Sequence, residues 1–237
     1  MDDSQRLYKW LFASLIFTYS LIFIGGLVRV SGSGMGCPDW PTCFGKLIPP
    51  TNIEQLSWYP QTEFHVGDMV VHNDTLWVSE FHFITLASFG SENWHPYEKH
   101  NYAKFNVTHT WIEYFNRLFG ATTGLVITMA MILALLTRKQ FPRLALVAVG
   151  AFLLTGFEGW LGAKVVDSHL APMVITLHML FALIIVSLLI YALLILKLKS
   201  EPHSDSSYNT KVPTYLKFLW GVTVVEILLG THIREGI

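Results

Sequence analysis

Charged residues are scarce in this sequence. Asp, Glu, Lys and Arg together make up 14% of the 237 residues, and the formal net charge is −1 at pH 7. Without an excess of basic residues the chain has no general attraction for nucleic acid, and we expect no nucleic-acid partner. The two cysteines are too few for a scaffold of several disulfides. The P-loop, GxGxxG, HExxH and GxSxG motifs are also missing, so these signals of nucleotide binding and hydrolysis give no lead.

Hydrophobic residues, in contrast, make up 52% of the chain, which is more than a soluble domain usually contains. Five apolar runs are long enough to cross about 30 Å of hydrocarbon, for which a helix needs about 20 residues. They lie at 10–30, 109–136, 144–162, 172–196 and 214–231. Backbone groups cannot stay unpaired in lipid, so each run predicts a helix. The sequence therefore predicts an all-α integral membrane protein with a four-helix transmembrane bundle, a fifth helix, and a long extracytoplasmic loop between helices 1 and 2.

Basic residues indicate the orientation in the membrane. They cluster before helix 1, between helices 2 and 3, and between helices 4 and 5, as Arg6, Lys9, Arg138, Lys139, Arg143, Lys197, Lys199, Lys211 and Lys217. These three segments share one side of an alternating chain, and the positive-inside rule makes that side cytoplasmic. The acidic loop between helices 1 and 2 then lies outside. We expect a multi-pass protein of the inner cell membrane, surrounded by lipid, with a cytoplasmic N-terminus.

A short repeat indicates a duplicated architecture. The pattern E-x-x-L-G begins at Glu158 in helix 3 and again at Glu226 in helix 5, although chance similarity between Gly- and Leu-rich helices is the alternative. We expect residues 1–200 to form a front four-helix bundle, with its loop at about 32–108. Residues 201–237 would form a cytoplasmic connection and the first helix of an incomplete second half. The chain would then be a fragment of a longer protein, or would need a rear half or a second copy of itself as a partner.

Two cysteines follow helix 1 in a segment rich in glycine and serine. Cys37 and Cys43 are separated by five residues that include Pro38 and Pro41. Outside the cytoplasm such a pair tends to oxidise, and the prolines would hold a small closed loop. The pair is either a structural staple or a redox-active dithiol, which would require exposure and a labile potential. The sequence leaves both interpretations open.

Helix 2 begins with polar residues on one face. His109, Glu113, Asn116 and Arg117 follow helical spacing, and ionisable groups inside a membrane span are functional candidates because they are costly there. The plain structural alternative is an ion pair between Glu113 and Arg117 at i, i+4.

Helix 4 contains one deep histidine. His178 lies roughly 9 Å inward from the start of the run, at about the depth of Glu113 in helix 2, and Arg29 ends helix 1 on the same side. Imidazole within a bundle is a good ligand for haem iron, and the alternative is a satisfied core histidine. We expect a site in this outer layer of the membrane. The loop histidines have no metal-ligand spacing, and we interpret them as solvated: His65, His72, His82, His95 and His100.

Several motifs together resemble those of the haem A synthases of cytochrome oxidase assembly. They are Gly25-Gly26-x-x-Arg29, the Cys-Pro-Asp-Trp-Pro stretch at 37–41, Glu113-x-x-Asn116-Arg117, and the Leu-Ala-Pro to Thr-Leu-His segment at 170–178. The resemblance covers most of the chain except the interior of the long loop. It implies an eight-helix protein with two four-helix halves, each holding a haem between two histidines. The front half would oxidise the C8 methyl of haem O to a formyl group in successive oxygen-dependent steps.

The resemblance also implies roles for individual residues. Glu113 would be catalytic and His178 an axial ligand of the haem iron, while Cys37 and Cys43 would form a redox pair. The remaining haem-contacting residues would be Arg29, Asn116 and Arg117. Haem O would be the substrate, with haem b as an alternative bound haem. The partners would be a haem O-producing enzyme and an electron donor that the sequence does not identify.

Asn116 departs from the family pattern, which has a histidine at this position of helix 2. An amide is a poor ligand for iron. Either His178 alone holds the haem, which leaves one axial position open for oxygen, or another histidine such as His109 substitutes. The alternative function is a non-catalytic haem-binding assembly factor of cytochrome oxidase. A thiol–disulfide membrane protein without haem is a third hypothesis.

Overall fold

The computed structural model describes residues 3–98, 105–200 and 212–232. Within these residues there are five α-helices: α1 Asp3–Val30, α2 Val107–Leu136, α3 Pro142–Asp167, α4 Pro172–Ser200 and α5 Val212–His232. In the described part of the chain, α1 to α4 are each long and apolar enough to cross a membrane. The prediction of four membrane helices and a fifth helix is therefore confirmed, and the chain is a multi-pass membrane protein.

The helices extend beyond the apolar runs that predict them. Helix α1 begins at Asp3, seven residues before the first apolar run, and α3 continues to Asp167. A helix can continue beyond the hydrocarbon core of the membrane with polar residues, because its backbone hydrogen bonds do not depend on the side chains. Helices α3 and α4 both begin with proline, whose fixed φ suits the first helical position and whose missing N–H would be unpaired there anyway.

The chain divides into two compact units. Unit 1 comprises residues 1–24, 119–165 and 170–237, and unit 2 comprises residues 25–118 and 166–169. The core of unit 1 is formed by side chains from α1, α2, α3 and α4: Leu7, Leu11, Ile127, Ala130, Ala134, Phe141, Leu144, Ala148, Ala151, Ile185, Leu189, Ala192 and Leu196. Its alanines let helix backbones approach closely, which is how membrane helices associate. Helix α5 packs beside α4.

Large apolar side chains also cover the outer faces of the helices in unit 1. The side chains of Phe23, Leu125 and Leu146, for example, are 67%, 71% and 76% exposed. Such surfaces are unfavourable in water and are the expected lining toward lipid tails.

Unit 2 contains short β-structure within the loop between α1 and α2, which the sequence does not predict. Strand β1 Glu63–Phe64 pairs with β4 Phe83–Ile84, and β3 Thr75–Ser79 lies between β2 Met69–His72 and β5 Trp94–Pro96, all antiparallel. The β2–β3 turn places Asn73 and Asp74 at positive φ, as tight hairpin turns require. The described residues of this loop also contain three short 3₁₀ helices, at Ser33–Met35, Ile53–Leu56 and Ser91–Asn93. The unit's core is Cys37, Cys43, Phe44, Leu56, Met69, Leu76 and Val78.

Candidate functional site

Cys37 and Cys43 form a disulfide in unit 2, with their Cα atoms 4.9 Å apart. Both residues are buried, at 0% and 1% exposure, and belong to the core of the unit. The bond closes the small loop that the spacing of the cysteines predicts. Thiol exchange requires access to the sulfur atoms, so the burial favours the structural interpretation. A redox role for the pair stays a prediction.

The carboxylate of Asp39 organises the loop inside this disulfide. Its Oδ1 accepts a hydrogen bond from the Phe44 backbone N–H at 2.6 Å, and its Oδ2 accepts one from Gly45 N–H at 3.0 Å and one from the Thr42 hydroxyl. Gly45 has φ +75°, and a Cβ there would lie 2.4 Å from the Gly67 carbonyl oxygen, so only glycine fits. The motifs assign no individual role to Asp39; an aspartate just before a turn is the signal that points to one.

Arg117 fastens the disulfide loop to helix α2. Its Nη1 donates to the backbone carbonyls of Asp39 at 2.7 Å and Thr42 at 2.9 Å, and its Nη2 lies 3.5 Å from the Cys37 carbonyl oxygen. The side chain is only 15% exposed. A planar guanidinium can serve several carbonyls at once because its donors point in fixed, diverging directions. The residue that the sequence marks as haem-contacting is therefore also a structural support of the loop.

Glu113 completes the same network. Its Oε2 accepts a hydrogen bond from the Cys37 N–H at 2.8 Å, and its Oε1 lies 2.5 Å from Nη2 of Arg117. The residue is 3% exposed. The i, i+4 ion pair named as the structural alternative is thus present. It neutralises a buried carboxylate that would otherwise be costly.

The start of α2 lies directly against the disulfide loop. The Thr110 hydroxyl donates to the Gly36 carbonyl at 2.9 Å, and a Cβ on Gly36 would lie 2.4 Å from the His109 carbonyl oxygen. His109 itself is half-buried in the first turn, with its N–H bonded to Oδ1 of Asn106. Unit 2 therefore brings Glu113, Arg117 and the two cysteines together, a contact with the cysteines that the sequence does not predict.

Asn116 lies between Glu113 and Arg117 on α2, but it does not join their network. Its Oδ1 is buried and has no hydrogen-bond partner among the described residues. A buried amide oxygen without a partner costs about 1–3 kcal/mol, so such an atom marks a place where a bound molecule could supply a donor. Arg29 lies half-buried in the last turn of α1, also in unit 2.

His178 is paired with a carboxylate in unit 1. Its Nδ1 lies 2.7 Å from Oε2 of Glu158 on α3, although the ring N–H is not aligned well enough for a hydrogen bond. The other oxygen of Glu158 is buried and has no partner among the described residues. Gly162, one turn further along α3, lies next to the imidazole, since a Cβ there would be in van der Waals contact with its Cε1 at 3.7 Å. The sequence marks Glu158 only as part of the repeat; an acidic residue inside an apolar run is the signal that points to a site residue.

His232 is the last residue of α5, and Arg234 lies outside the described residues. His169 follows α3 at φ +56° and belongs to unit 2.

Comparison with known proteins identifies the family. Residues 8–236 match the family model described as cytochrome oxidase assembly protein. The chain belongs to the haem A synthase family. The resemblance that the motifs carry is thereby confirmed over nearly the whole chain, including the loop that the motifs do not cover.

Curated proteins named heme A synthase are similar to this chain throughout its length. The protein of Shewanella oneidensis is 30% identical over 221 residues, which is 92% of this chain and 53% of the relative. The protein of Wolbachia pipientis from Culex pipiens is 26% identical over 98% of this chain and 63% of its own length. The protein of Bartonella tribocorum is 24% identical over 96% of this chain and 58% of its own length. The chain thus spans between about half and two-thirds of these relatives. No solved structure matches it significantly.

Proposed function

We propose that the protein binds haem O through His178 and takes part in haem A biosynthesis for cytochrome oxidase, converting the C8 methyl of haem O to a formyl group. The observation that carries this proposal is the pairing of His178 with Glu158 inside two apolar helices of a haem A synthase family member. Histidines that bind metals commonly direct one ring nitrogen to a carboxylate, which orients the ring and leaves the other nitrogen for the metal. His178 and Glu158 fit a haem iron in this respect.

Helix α2 offers no second histidine at the position of Asn116. Asn116 holds the place where the family's helix-two pattern has a histidine, and its amide is not a ligand for ferrous or ferric iron. Bound haem would supply the iron-centred oxygen chemistry that oxidation of a methyl group requires. His178 would hold the haem iron, either alone or together with another histidine such as His109.

The chain's own residues have separate tasks in this proposal. Glu158, whose Oε2 lies 2.7 Å from Nδ1 of His178, is proposed to orient the imidazole. Glu113 is the proposed catalytic carboxylate, able to relay protons, and its contacts with Arg117 and the Cys37 N–H keep it fixed. On the strength of the family's motifs, Arg29, Asn116 and Arg117 are proposed to contact haem. An enzyme that makes haem O, an electron donor, and a rear half or second copy of the chain are the proposed partners.

Pigment analysis after co-expression with a haem O-producing enzyme tests the proposal. The chain is expected to carry haem and to yield haem A in the extracted pigments. His178→Ala should lose most bound haem, whereas Glu113→Gln should keep haem O and stop short of the aldehyde. His95→Ala in the loop is the matched histidine control, and Glu54→Gln is the carboxylate control; both should behave as the unmodified chain.

Two results would contradict the proposal in different ways. Bound haem without haem A would favour the alternative, a non-catalytic haem-binding assembly factor. A purified chain without a Soret band would exclude both and favour the thiol–disulfide hypothesis. Full haem A production by the Glu113→Gln variant would reduce Glu113 to a structural partner of Arg117.

A further inference from the structure

The loop in unit 2 carries a cluster of metal-ligating side chains away from the cysteines. In the β1–β4 ribbon, Glu63 pairs with Ile84 and Phe64 with Phe83. The same antiparallel register, continued by one residue, sets His65 opposite His82. Side chains alternate between the two faces of a strand, so Glu63, His65 and His82 share one face of the ribbon.

The donor atoms of these three residues are close together. One ligand atom from each lies within 4.8 Å of the others. The Nε2 of His82 is 2.7 Å from Oε1 of Glu63, and the centroids of the two imidazole rings are 4.6 Å apart. Donors around a tetrahedral zinc ion lie roughly 3.3 Å apart, since each sits about 2.0–2.2 Å from the metal. Small rotations of exposed side chains therefore suffice to enclose an ion.

The opposite face of the ribbon fixes its position. Phe64 and Phe83 pack edge-on against Trp94, with ring centroids 5.0 and 5.3 Å from the indole. Trp94 itself is 5% exposed. The aromatic contacts hold the backbone that carries the ligands, so the ion would not have to order it. A rigid support of this kind is what a site with few ligands needs.

Asp68 supports one of the ligands from outside. Its Oδ2 accepts a hydrogen bond from the backbone N–H of His65 at 2.7 Å and lies 3.7 Å from Nδ1 of the same residue. A carboxylate next to a histidine ring limits the orientation of that ring, as in many metal sites. The side chains of His65, His82 and Glu63 are 66%, 57% and 58% exposed, so an ion can reach them from solvent.

We propose that Glu63, His65 and His82 form a binding site for a divalent transition-metal ion of the zinc and copper class. Two imidazoles and one carboxylate suit these ions, whereas magnesium and calcium prefer oxygen ligands alone. Water fills the remaining coordination positions. The two histidines are 17 residues apart in the sequence, so linear spacing hides the site that the strand register creates.

Zinc titration of the purified full-length chain tests this site. The protein, without a histidine tag and stripped with EDTA, is titrated with Zn²⁺ alone by calorimetry. We expect one ion per chain, and about tenfold or greater loss of affinity in the His65→Ala/His82→Ala variant. His95→Ala is the matched control, because His95 is a loop histidine that contacts one carboxylate, that of Glu80 at 3.2 Å. Its affinity for zinc should stay unchanged.

Two measurements keep the test decisive. Near-ultraviolet circular dichroism should report the same Phe64–Trp94 packing in all variants, because the substituted side chains are exposed. X-ray absorption of the zinc-loaded chain should reveal two imidazoles in the coordination shell. Equal zinc affinity in the double variant and the unmodified chain, or no zinc uptake by the unmodified chain, would overturn the proposal and leave a surface contact between Glu63 and His82.

Discussion

Single side chains hold the disulfide loop on helix α2. The guanidinium of Arg117 serves the carbonyls of Asp39 and Thr42 and the carboxylate of Glu113, which in turn accepts from the Cys37 N–H. These groups are interdependent, because removal of one charge leaves the other buried without a partner. At this scale Glu113 has a structural contact for each oxygen, and any catalytic role must operate within that network.

Arg117→Lys tests the importance of the guanidinium geometry. Lysine keeps the charge but cannot direct fixed, diverging donors to two carbonyls and a carboxylate. We expect a loss of roughly 1–3 kcal/mol in the free energy of unfolding, measured by thermal denaturation in detergent. Arg138→Lys, at an exposed position after α2, is the matched control and should leave stability unchanged. Equal effects of the two substitutions would show that the charge alone matters.

Tyr97 donates a hydrogen bond to the disulfide loop, and its titration makes the free energy of unfolding fall at alkaline pH. Its hydroxyl donates to the Pro38 carbonyl at 2.5 Å, and burial, with a smaller effect of the carboxylates of Asp39 and Asp167, raises the pKa of Tyr97 to about 12. An unfolded tyrosine titrates near pH 10. Between these values the folded chain binds more protons than the unfolded chain, so this contribution is complete below about pH 10 and is lost as pH rises toward 12.

Tyr97→Phe is expected to weaken the dependence of stability on alkaline pH. Tyr97→Phe should lose less stability than the unmodified chain when the pH rises from about 9 to about 11, measured as the shift in thermal unfolding. Tyr59→Phe, at a half-exposed position, is the control and should follow the unmodified chain. Identical alkaline profiles for all three would refute the assignment to Tyr97.

Among the secondary-structure elements, the first turn of α2 packs closely against the backbone of the segment before Cys37. Glycine at position 36 leaves the space that the His109 carbonyl occupies, and the Thr110 hydroxyl bonds to the Gly36 carbonyl. Neither partner can withdraw easily, because both are main-chain atoms of ordered segments. The α1–α2 loop is thereby held on α2 over the same stretch that contains Glu113.

Gly36→Ala should disturb this junction. A methyl group 2.4 Å from a backbone oxygen forces one segment to shift, and overpacking of this kind costs about 1–3 kcal/mol. Thermal unfolding and the reactivity of the disulfide toward a mild reductant are the measurements; both stability and protection should fall. Gly90→Ala is the control, since a Cβ there meets nothing within 4 Å. A Gly36→Ala variant as stable as the control would mean that the segments separate freely.

The orientation of the whole molecule in the membrane is a prediction that cysteine labelling can test. The basic segments predict a cytoplasmic turn between α2 and α3 and an outer loop between α1 and α2. The native cysteines are buried in a disulfide, so single exposed cysteines are better reporters. Glu54→Cys should react with a membrane-impermeant thiol reagent in intact cells, and Lys139→Cys only after lysis. The reverse labelling pattern would invert the orientation.

The linear sequence is enough to predict the five helices of the described residues, the pairing of the two cysteines and the family. Lengths of apolar runs are properties of the linear chain, and the five helices follow them closely. The Cys-Pro-Asp-Trp-Pro stretch and the Glu-x-x-Asn-Arg motif are likewise readable without coordinates. The spacing of Glu113 and Arg117 on one helix predicts their contact, because helical geometry alone places residues four apart side by side.

Contacts between side chains of different elements are visible only in the folded chain. The carboxylate of Glu158 reaches His178 because α3 and α4 pack at that register, and the guanidinium of Arg117 reaches loop carbonyls about 75 residues earlier in the chain. The short strands of the loop escape prediction because their stability comes from a shared aromatic and disulfide core rather than from local alternation. Strand register in turn sets His65 opposite His82. Such contacts depend on the packing of distant segments, which no local pattern of residues specifies.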